Sequence, residues 1–218
     1  MIRTEKEWID AYKQKRALWI HKGDPSQRHV ILTSGLHSNG FFNSRPVIED
    51  VTLLSDATSD LIEKLFYKIS LEKVDFFVGP QTGGARLSES LASRFRNATL
   101  LPCVGLSAEK VNSEKKEFTF SKENSAKIKG KRILICDDVI TTSSSVNGVL
   151  ALLNSFGAII NPFVVVLVNR SGQTSIDGKR VISLIDKHLP AWNPDDCPLC
   201  RMGSEAIAKP KDNWDKIQ

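Results

Sequence analysis

Apolar residues fall along this chain in two patterns, and each predicts a different element. Short apolar-rich runs bounded by polar residues suit buried strands. They occur at Val30 to Leu32, Val74 to Gly79, Thr99 to Ser107, Ile133 to Cys136, Pro162 to Val168 and Val181 to Ile185. Between them lie stretches with helical spacing. Trp8, Ile9, Tyr12, Leu18 and Trp19 stand among charges over residues 4 to 20, and Gly23-Asp24-Pro25 ends that stretch. Leu61, Ile62, Leu65, Phe66 and Ile69 share a broad face over Ser55 to Leu71. A further helix opens after Gly84 and runs to about Asn97, and Val146, Val149, Leu150 and Leu153 form one face of another, with Gly157 placed to stop it. Strands alternating with helices are the pattern of an α/β domain.

The chemistry concentrates where the strand Ile133 to Cys136 ends. Asp137 and Asp138 come first, then five hydroxyl residues in a row, Thr141, Thr142, Ser143, Ser144 and Ser145, and then the helix. A helix start carries unpaired amides and about half a positive charge, so it attracts anions. Hydroxyls around the turn can donate to a phosphate. An ionised acid pair only accepts, which suits a diol. One N-cap would need one such residue; two acids followed by five hydroxyls point instead to a ribose 5-phosphate.

This stretch resembles the phosphoribosyl pyrophosphate (PRPP) motif of the type I phosphoribosyltransferases. The resemblance implies that Asp137 and Asp138 hold the ribose hydroxyls and that residues 141 to 145 hold the 5-phosphate. The family usually has Gly where this chain has Ser143, a position that needs close backbone approach or φ > 0. Leu32-Thr-Ser-Gly-Leu-His-Ser-Asn-Gly-Phe41-Phe42-Asn43 is similar to the N-terminal hood segment of orotate phosphoribosyltransferases, where the paired aromatics pack against the base. Many of those enzymes have Lys in place of Thr33. Gln81-Thr82-Gly83-Gly84, after a strand, resembles the pyrophosphate loop, here without a Lys. Arg170 leaves a buried strand toward the edge where open α/β sheets bind ligands, and a guanidinium matches a carboxylate. In orotate enzymes an Arg at this place binds the orotate carboxylate, helped by the residue corresponding to Thr141. Residues 111 to 130 are polar and Lys-rich where the family has its mobile catalytic arm, and Ala108-Glu109-Lys110 before them is similar to the short-armed branch. Lys110, and after it Lys122, are the basic candidates for catalysis.

The 218 residues are 41% hydrophobic with a net charge of +5, ordinary for a globular domain that accepts an anionic substrate. The charged N-terminus has no signal-peptide core, and no apolar run is long enough for a bilayer span. Four cysteines without a secretory signal indicate a reducing compartment, so a cytoplasmic protein is expected. A single Cys197-Pro-Leu-Cys200 is weak support for zinc, since a tetrahedral site takes four ligands and no second pair follows; it is read as structural, and no residue is assigned as a metal ligand. His37 is expected on a loop surface and residues 203 to 218 as a loose tail.

What the resemblance implies for the whole chain is one phosphoribosyltransferase domain over 1–218. It has a twisted, mainly parallel sheet flanked by helices (about 51–185) and a small hood (about 1–50 and 186–218). The implied reaction joins orotate to PRPP, with Mg²⁺ held mainly through PRPP, in a homodimer that binds neither nucleic acid nor membrane. Two other readings stay open: a phosphoribosyltransferase for another nucleobase, and a non-catalytic PRPP or nucleotide sensor.

Overall fold

The computed structural model describes residues 2–68, 74–81, 83–112 and 117–217. Helix α1 (Glu5–Gln14) starts in a capping box. The Glu7 amide donates to the Thr4 hydroxyl, and the Thr4 amide donates to the Glu7 carboxylate. It stops short of residue 20 because Arg16 turns left-handed at φ 50°. The rest of that expected helix is strand β1 (Leu18–Ile20), followed by β2 (His29–Ile31), β3 (His37–Ser38) and β4 (Gly40–Phe42). Helices α2 (Arg45–Glu49) and α3 (Val51–Phe66) come next. α3 begins earlier than its apolar face suggests because Asp50 caps it, accepting from the Leu53 amide at 2.9 Å; it ends at Phe66, with Tyr67 as its C-cap, short of the expected Leu71, which lies outside the described residues.

The core then runs β5 (Phe76–Pro80), α4 (Gly83–Thr99), β6 (Val104–Asn112), β7 (Glu117–Thr119), α5 (Lys122–Ser125), β8 (Arg132–Ile140), α6 (Ser144–Ser155), β9 (Ile159–Asn169), β10 (Ser175–Ile176) and β11 (Lys179–Asp186). Where a strand was expected from Thr99, α4 continues instead. Leu100, left-handed at φ 59°, ends it, and pairing begins only at Val104. The last segment adds β12 (Ala191–Trp192), a single 3₁₀ turn (Pro194–Asp196), α7 (Pro198–Arg201), β13 (Ala206–Ile207) and α8 (Trp214–Ile217).

Seven strands form the main sheet in the order β10-β11-β9-β8-β5-β6-β7, parallel except at its two outer pairs. Strand alternation divides the core. Leu134, Cys136, Val165 and Leu167 pack with residues of α1, α3 and α4. Ile133, Ile135, Val164 and Val166 pack with α6 and with Phe118 and Phe120. Both faces are covered, which is why these strands read as unbroken apolar runs. Phe118, Phe120 and Ile128, in the polar region of the chain between β6 and β8, are buried in this second core.

A second sheet, β12-β3-β2-β13, joins residues before 40 to residues after 190. It overturns two expectations. His37 is 7% exposed, because the β2–β3 register sets it opposite Ile31 on an inward face. The C-terminal segment is not loose: β13 pairs in parallel with β2, and Ile217 and Trp214 pack with Trp19, Val30 and Phe41.

Candidate active site

The site lies where the sheet changes direction. From β5 the chain crosses to β6 on one side and later to β8 on the other, the kind of switch point at which open α/β sheets bind ligands. β5 pairs with β8 only opposite Ile133 to Ile135, while β8 continues along β9 to Ile140. The parting strands open a cleft of about 390 Å³ beside Asp137 and Asp138. Both acids thus lie on the strand itself rather than in the turn after it. Freed from β5, the local amides turn to these side chains: the Asp138 amide donates to Asp137 Oδ1 at 2.8 Å and the Val139 amide to Asp138 Oδ1 at 3.0 Å.

Asp137 is 6% exposed. Burial, and then the Asp138 charge, push its carboxyl well above the ordinary carboxylate range, against the pull of Lys110. Lys110, on β6, lines the same cleft; Lys122, on α5, does not.

The hydroxyl loop borders the cleft from Thr141 to Ser145 and leads into α6, whose first-turn amides have no acceptor inside the helix. Ser143 adopts the left-handed conformation, φ 61° and ψ 0°. Its hydroxyl is already engaged, donating to Gln173 Oε1 at 2.7 Å. Thr142 Oγ1 and Ser144 Oγ share a hydrogen bond of 2.9 Å.

Of the second loop, Gln81, Gly83 and Gly84 are not in the cleft's lining, and Thr82 lies outside the described residues. Gly83 opens α4 against the acidic pair. A Cβ there would lie 2.6 Å from Asp138 Cγ and Oδ2, so glycine allows this approach without displacing the Asp138 side chain.

Arg170 lines the cleft but is not a free guanidinium. It is 2% exposed. Nη1 donates to Gly40 O at 2.8 Å, and Nη2 donates to Ser38 Oγ at 2.6 Å and to Leu189 O at 3.3 Å. The side chain clamps the small sheet onto the end of β9, and burial pulls its pKa down to about 10. Its Nε is buried and has no acceptor among the described residues. Phe41 and Phe42 both reach the cleft, yet alternation sends them to different cores. Phe42 meets Tyr12 edge-on at 5.5 Å, and Phe41 lies 6.1 Å from Trp214.

Four lining residues were missed in the sequence: Lys209, Pro210, Lys211 and Asp212. Lys209 is left-handed at φ 51°. The polar run Lys209 to Asn213 reads as a frayed end, and the signal that it is docked was the apolar pair Trp214 and Ile217 just beyond it.

An acidic pair on a strand and a hydroxyl loop at a helix start thus border one cleft of an α/β sheet, with a glycine-opened second helix against the acids. Residues 52–197 match the family described as the phosphoribosyl transferase domain, and the chain belongs to that family. Among curated relatives, the orotate phosphoribosyltransferase of Thermotoga maritima is 32% identical over 82% of this chain and 87% of its own. That of Pelotomaculum thermopropionicum is 30% identical over 88% and 93%. Within the family the chain belongs with the orotate phosphoribosyltransferases. Solved structures support the fold: orotate phosphoribosyltransferase from Aeropyrum pernix (TM-score 0.52, 21% identity, 92% of each chain) and a phosphoribosyltransferase from Corynebacterium diphtheriae (TM-score 0.58, 15% identity, 83% of this chain and 94% of that one).

Proposed function

We propose that the cleft joins orotate to PRPP, giving orotidine 5′-monophosphate and pyrophosphate. The observation that carries the choice of base is Arg170 in the lining of the cleft, beside Thr141 and the paired aromatics. A guanidinium there offers a base that carries a carboxylate a charged partner, reached by exchanging part of its hold on Ser38, Gly40 or Leu189. In this reading Asp137 and Asp138 accept from the ribose 2′- and 3′-hydroxyls. The amides at the start of α6 and the hydroxyls of Thr141, Thr142, Ser144 and Ser145 hold the 5-phosphate. Gln81 to Gly84 and Lys110 flank the pyrophosphate, and Phe41, Phe42, Thr141 and Arg170 surround the base.

The C1–O bond to pyrophosphate breaks with its electron pair leaving on pyrophosphate. The C1–N bond forms from the base nitrogen, which gives up its proton to solvent. Positive charge develops on the ribose as the bond breaks, close to the acidic pair, so positioning and charge stabilisation supply the catalysis. The site also suits Mg²⁺ carried in on PRPP. This ion keeps most of its water and takes phosphate and hydroxyl oxygens, so PRPP would hold it, and Asp137 and Asp138 would support it through the ribose hydroxyls they bind. The ion would neutralise charge on the pyrophosphate.

No helix among the described residues is long and apolar enough to cross a membrane. A cytoplasmic setting and a homodimer complete the proposal, and sedimentation of the purified chain tests the latter. The activity is tested by incubating the chain with PRPP, Mg²⁺ and a panel of bases. Pyrophosphate release with orotate supports the proposal, and release only with another base, or with none, overturns it.

A further inference from the structure

The Cys197-Pro-Leu-Cys200 pair is not alone in space. The β2–β3 hairpin carries His29 and His37 on one face, because His37 stands opposite Ile31, two residues from His29. The turn into α7 brings Cys197 and Cys200 against that face, three residues apart and therefore on one side of a helical turn. His29 Nε2 lies 3.0 Å from His37 Nδ1, 3.6 Å from Cys197 Sγ and 3.4 Å from Cys200 Sγ. Cys200 Sγ lies 3.3 Å from His37 Nδ1, and all four ligand atoms fall within 4.8 Å of one another.

The four short separations lie close to the edges of a tetrahedron around one ion, and the two remaining pairs are within 4.8 Å, near enough for the same ion to draw in. With Zn–N near 2.05 Å and Zn–S near 2.3 Å, tetrahedral angles give edges of about 3.3 Å between nitrogens, about 3.6 Å from nitrogen to sulfur and about 3.8 Å between sulfurs. The His29 tautomer is also fixed. The Ser204 hydroxyl donates to Gln27 O at 2.6 Å, so toward His29 Nδ1, 2.8 Å away, it can only accept. The ring proton therefore sits on Nδ1, and Nε2 turns a bare lone pair into the cluster, the support usual for a metal-bound imidazole. Two thiolates and two neutral imidazoles around a divalent ion sum to zero charge, as a buried site requires. His29, His37 and Cys197 are buried, and Cys200 closes the site at the surface.

We infer that His29, His37, Cys197 and Cys200 form a structural zinc site that staples the C-terminal segment to the β2–β3 hairpin. Sulfur and nitrogen ligands in a tetrahedral set select zinc over harder ions. All four positions of the ion are filled by protein, so the site is closed to substrate and does no chemistry. Its reach is nonetheless functional. Ser38, next to His37, accepts from Arg170 and donates to Pro190 O at 2.6 Å. The chain beyond Cys200 forms β13 and then the cleft wall at Lys209 to Asp212. Zinc would hold the strand that grips Arg170 and the segment that closes the cleft.

The test uses the untagged full chain. Elemental analysis should find one zinc per chain after dialysis. Cobalt exchanged into the site should show the intense visible bands of tetrahedral coordination with thiolate charge transfer. A strong chelator should make Cys197 and the surface residue Cys200 reactive toward a thiol reagent, where zinc had masked their sulfurs, and lower Tm by about 10 °C or more. Cys197→Ser with Cys200→Ser should abolish metal binding; if that variant does not fold, the measurements on the unaltered chain decide. The inference is overturned if the unaltered chain carries no zinc or carries iron, if cobalt gives only octahedral spectra, or if added zinc fails to protect Cys200. A hydrogen-bonded His–Cys cluster without metal would give that last result. None of these outcomes depends on phosphoribosyl transfer.

Discussion

Ser143 offers a test of how the phosphate loop is built, because its backbone and its hydroxyl can be perturbed separately. The residue is left-handed at φ 61° and its hydroxyl donates to Gln173 Oε1. A left-handed L-residue costs roughly 1–2 kcal/mol relative to an unstrained one, a cost glycine does not carry. The hydrogen bond contributes about 0.5–1 kcal/mol, at the low end because Gln173 is exposed and water can replace the serine. Ser143→Gly removes both strain and bond, so it should range from neutral to a gain of about 1.5 kcal/mol. Ser143→Ala removes the bond and keeps the strain, so it should lose about 0.5–1 kcal/mol. Ala and Gly both lack the hydroxyl, and their difference of about 1–2 kcal/mol isolates the backbone. Urea unfolding of the three proteins measures it. Calorimetric PRPP titration should show affinity held or improved in Ser143→Gly, since the hydroxyl is committed to Gln173 and not to phosphate. Equal stabilities for Gly and Ala would refute the strain argument. A tenfold loss of PRPP affinity in both variants would refute the claim about the hydroxyl.

Asp137 should make stability pH-dependent. Its folded-state pKa lies above the ordinary 3.8, so the unliganded fold gains stability as pH falls through that raised value and gains no more below 3.8; Asp137→Asn should flatten the slope in unfolding measured against pH. Asn at either Asp137 or Asp138 should weaken PRPP binding by roughly 1–3 kcal/mol by calorimetry, and unchanged affinity in both would remove the diol role. Arg170→Ala should cost about 3 kcal/mol of stability through the orphaned acceptors at Gly40 and Leu189, so its activity must be compared at a temperature where it stays folded; PRPP affinity there should be nearly intact while orotate turnover is lost. Gly83→Ala should displace Asp138 and lower PRPP affinity at least tenfold with little change in Tm, and an unaffected Ala variant would show that the close approach is not needed.

The central strands and α6 were legible in the sequence for a physical reason. Burial on both faces forces continuous apolar runs, and the hydroxyl loop has no local structural explanation. Ser143 could be read as a backbone problem before any coordinates because a phosphate loop needs glycine-like geometry. Apart from β2, the second sheet was illegible for the opposite reason. β2, β3, β12 and β13 have two or three residues each, too short to show a period, and β12 with β3 and β13 with β2 pair across more than 150 residues. Hence His29 and His37 carried no sign of their cysteine partners, and Arg170, aimed correctly by its strand, gave no hint that Ser38, Gly40 and Leu189 would take most of its hydrogen bonds. The helix drawn through residue 20 failed because Leu18 and Trp19 fit a helical face as well as a strand, and only Arg16 decides between them.

The central claim is that Arg170 and its neighbours make the cleft select a base carrying a carboxylate. The measurement that tests it most directly is kcat/KM for orotate and for uracil, at saturating PRPP and Mg²⁺, with the nucleotide product identified by mass. The two bases differ only by that carboxylate. A charge-assisted contact in a partly desolvated cleft is worth about 2–5 kcal/mol, which predicts a preference for orotate of at least about thirtyfold. Orotidine 5′-monophosphate formed with that preference is the expected result. Comparable turnover of both bases, or turnover of a neutral base alone, would contradict the account.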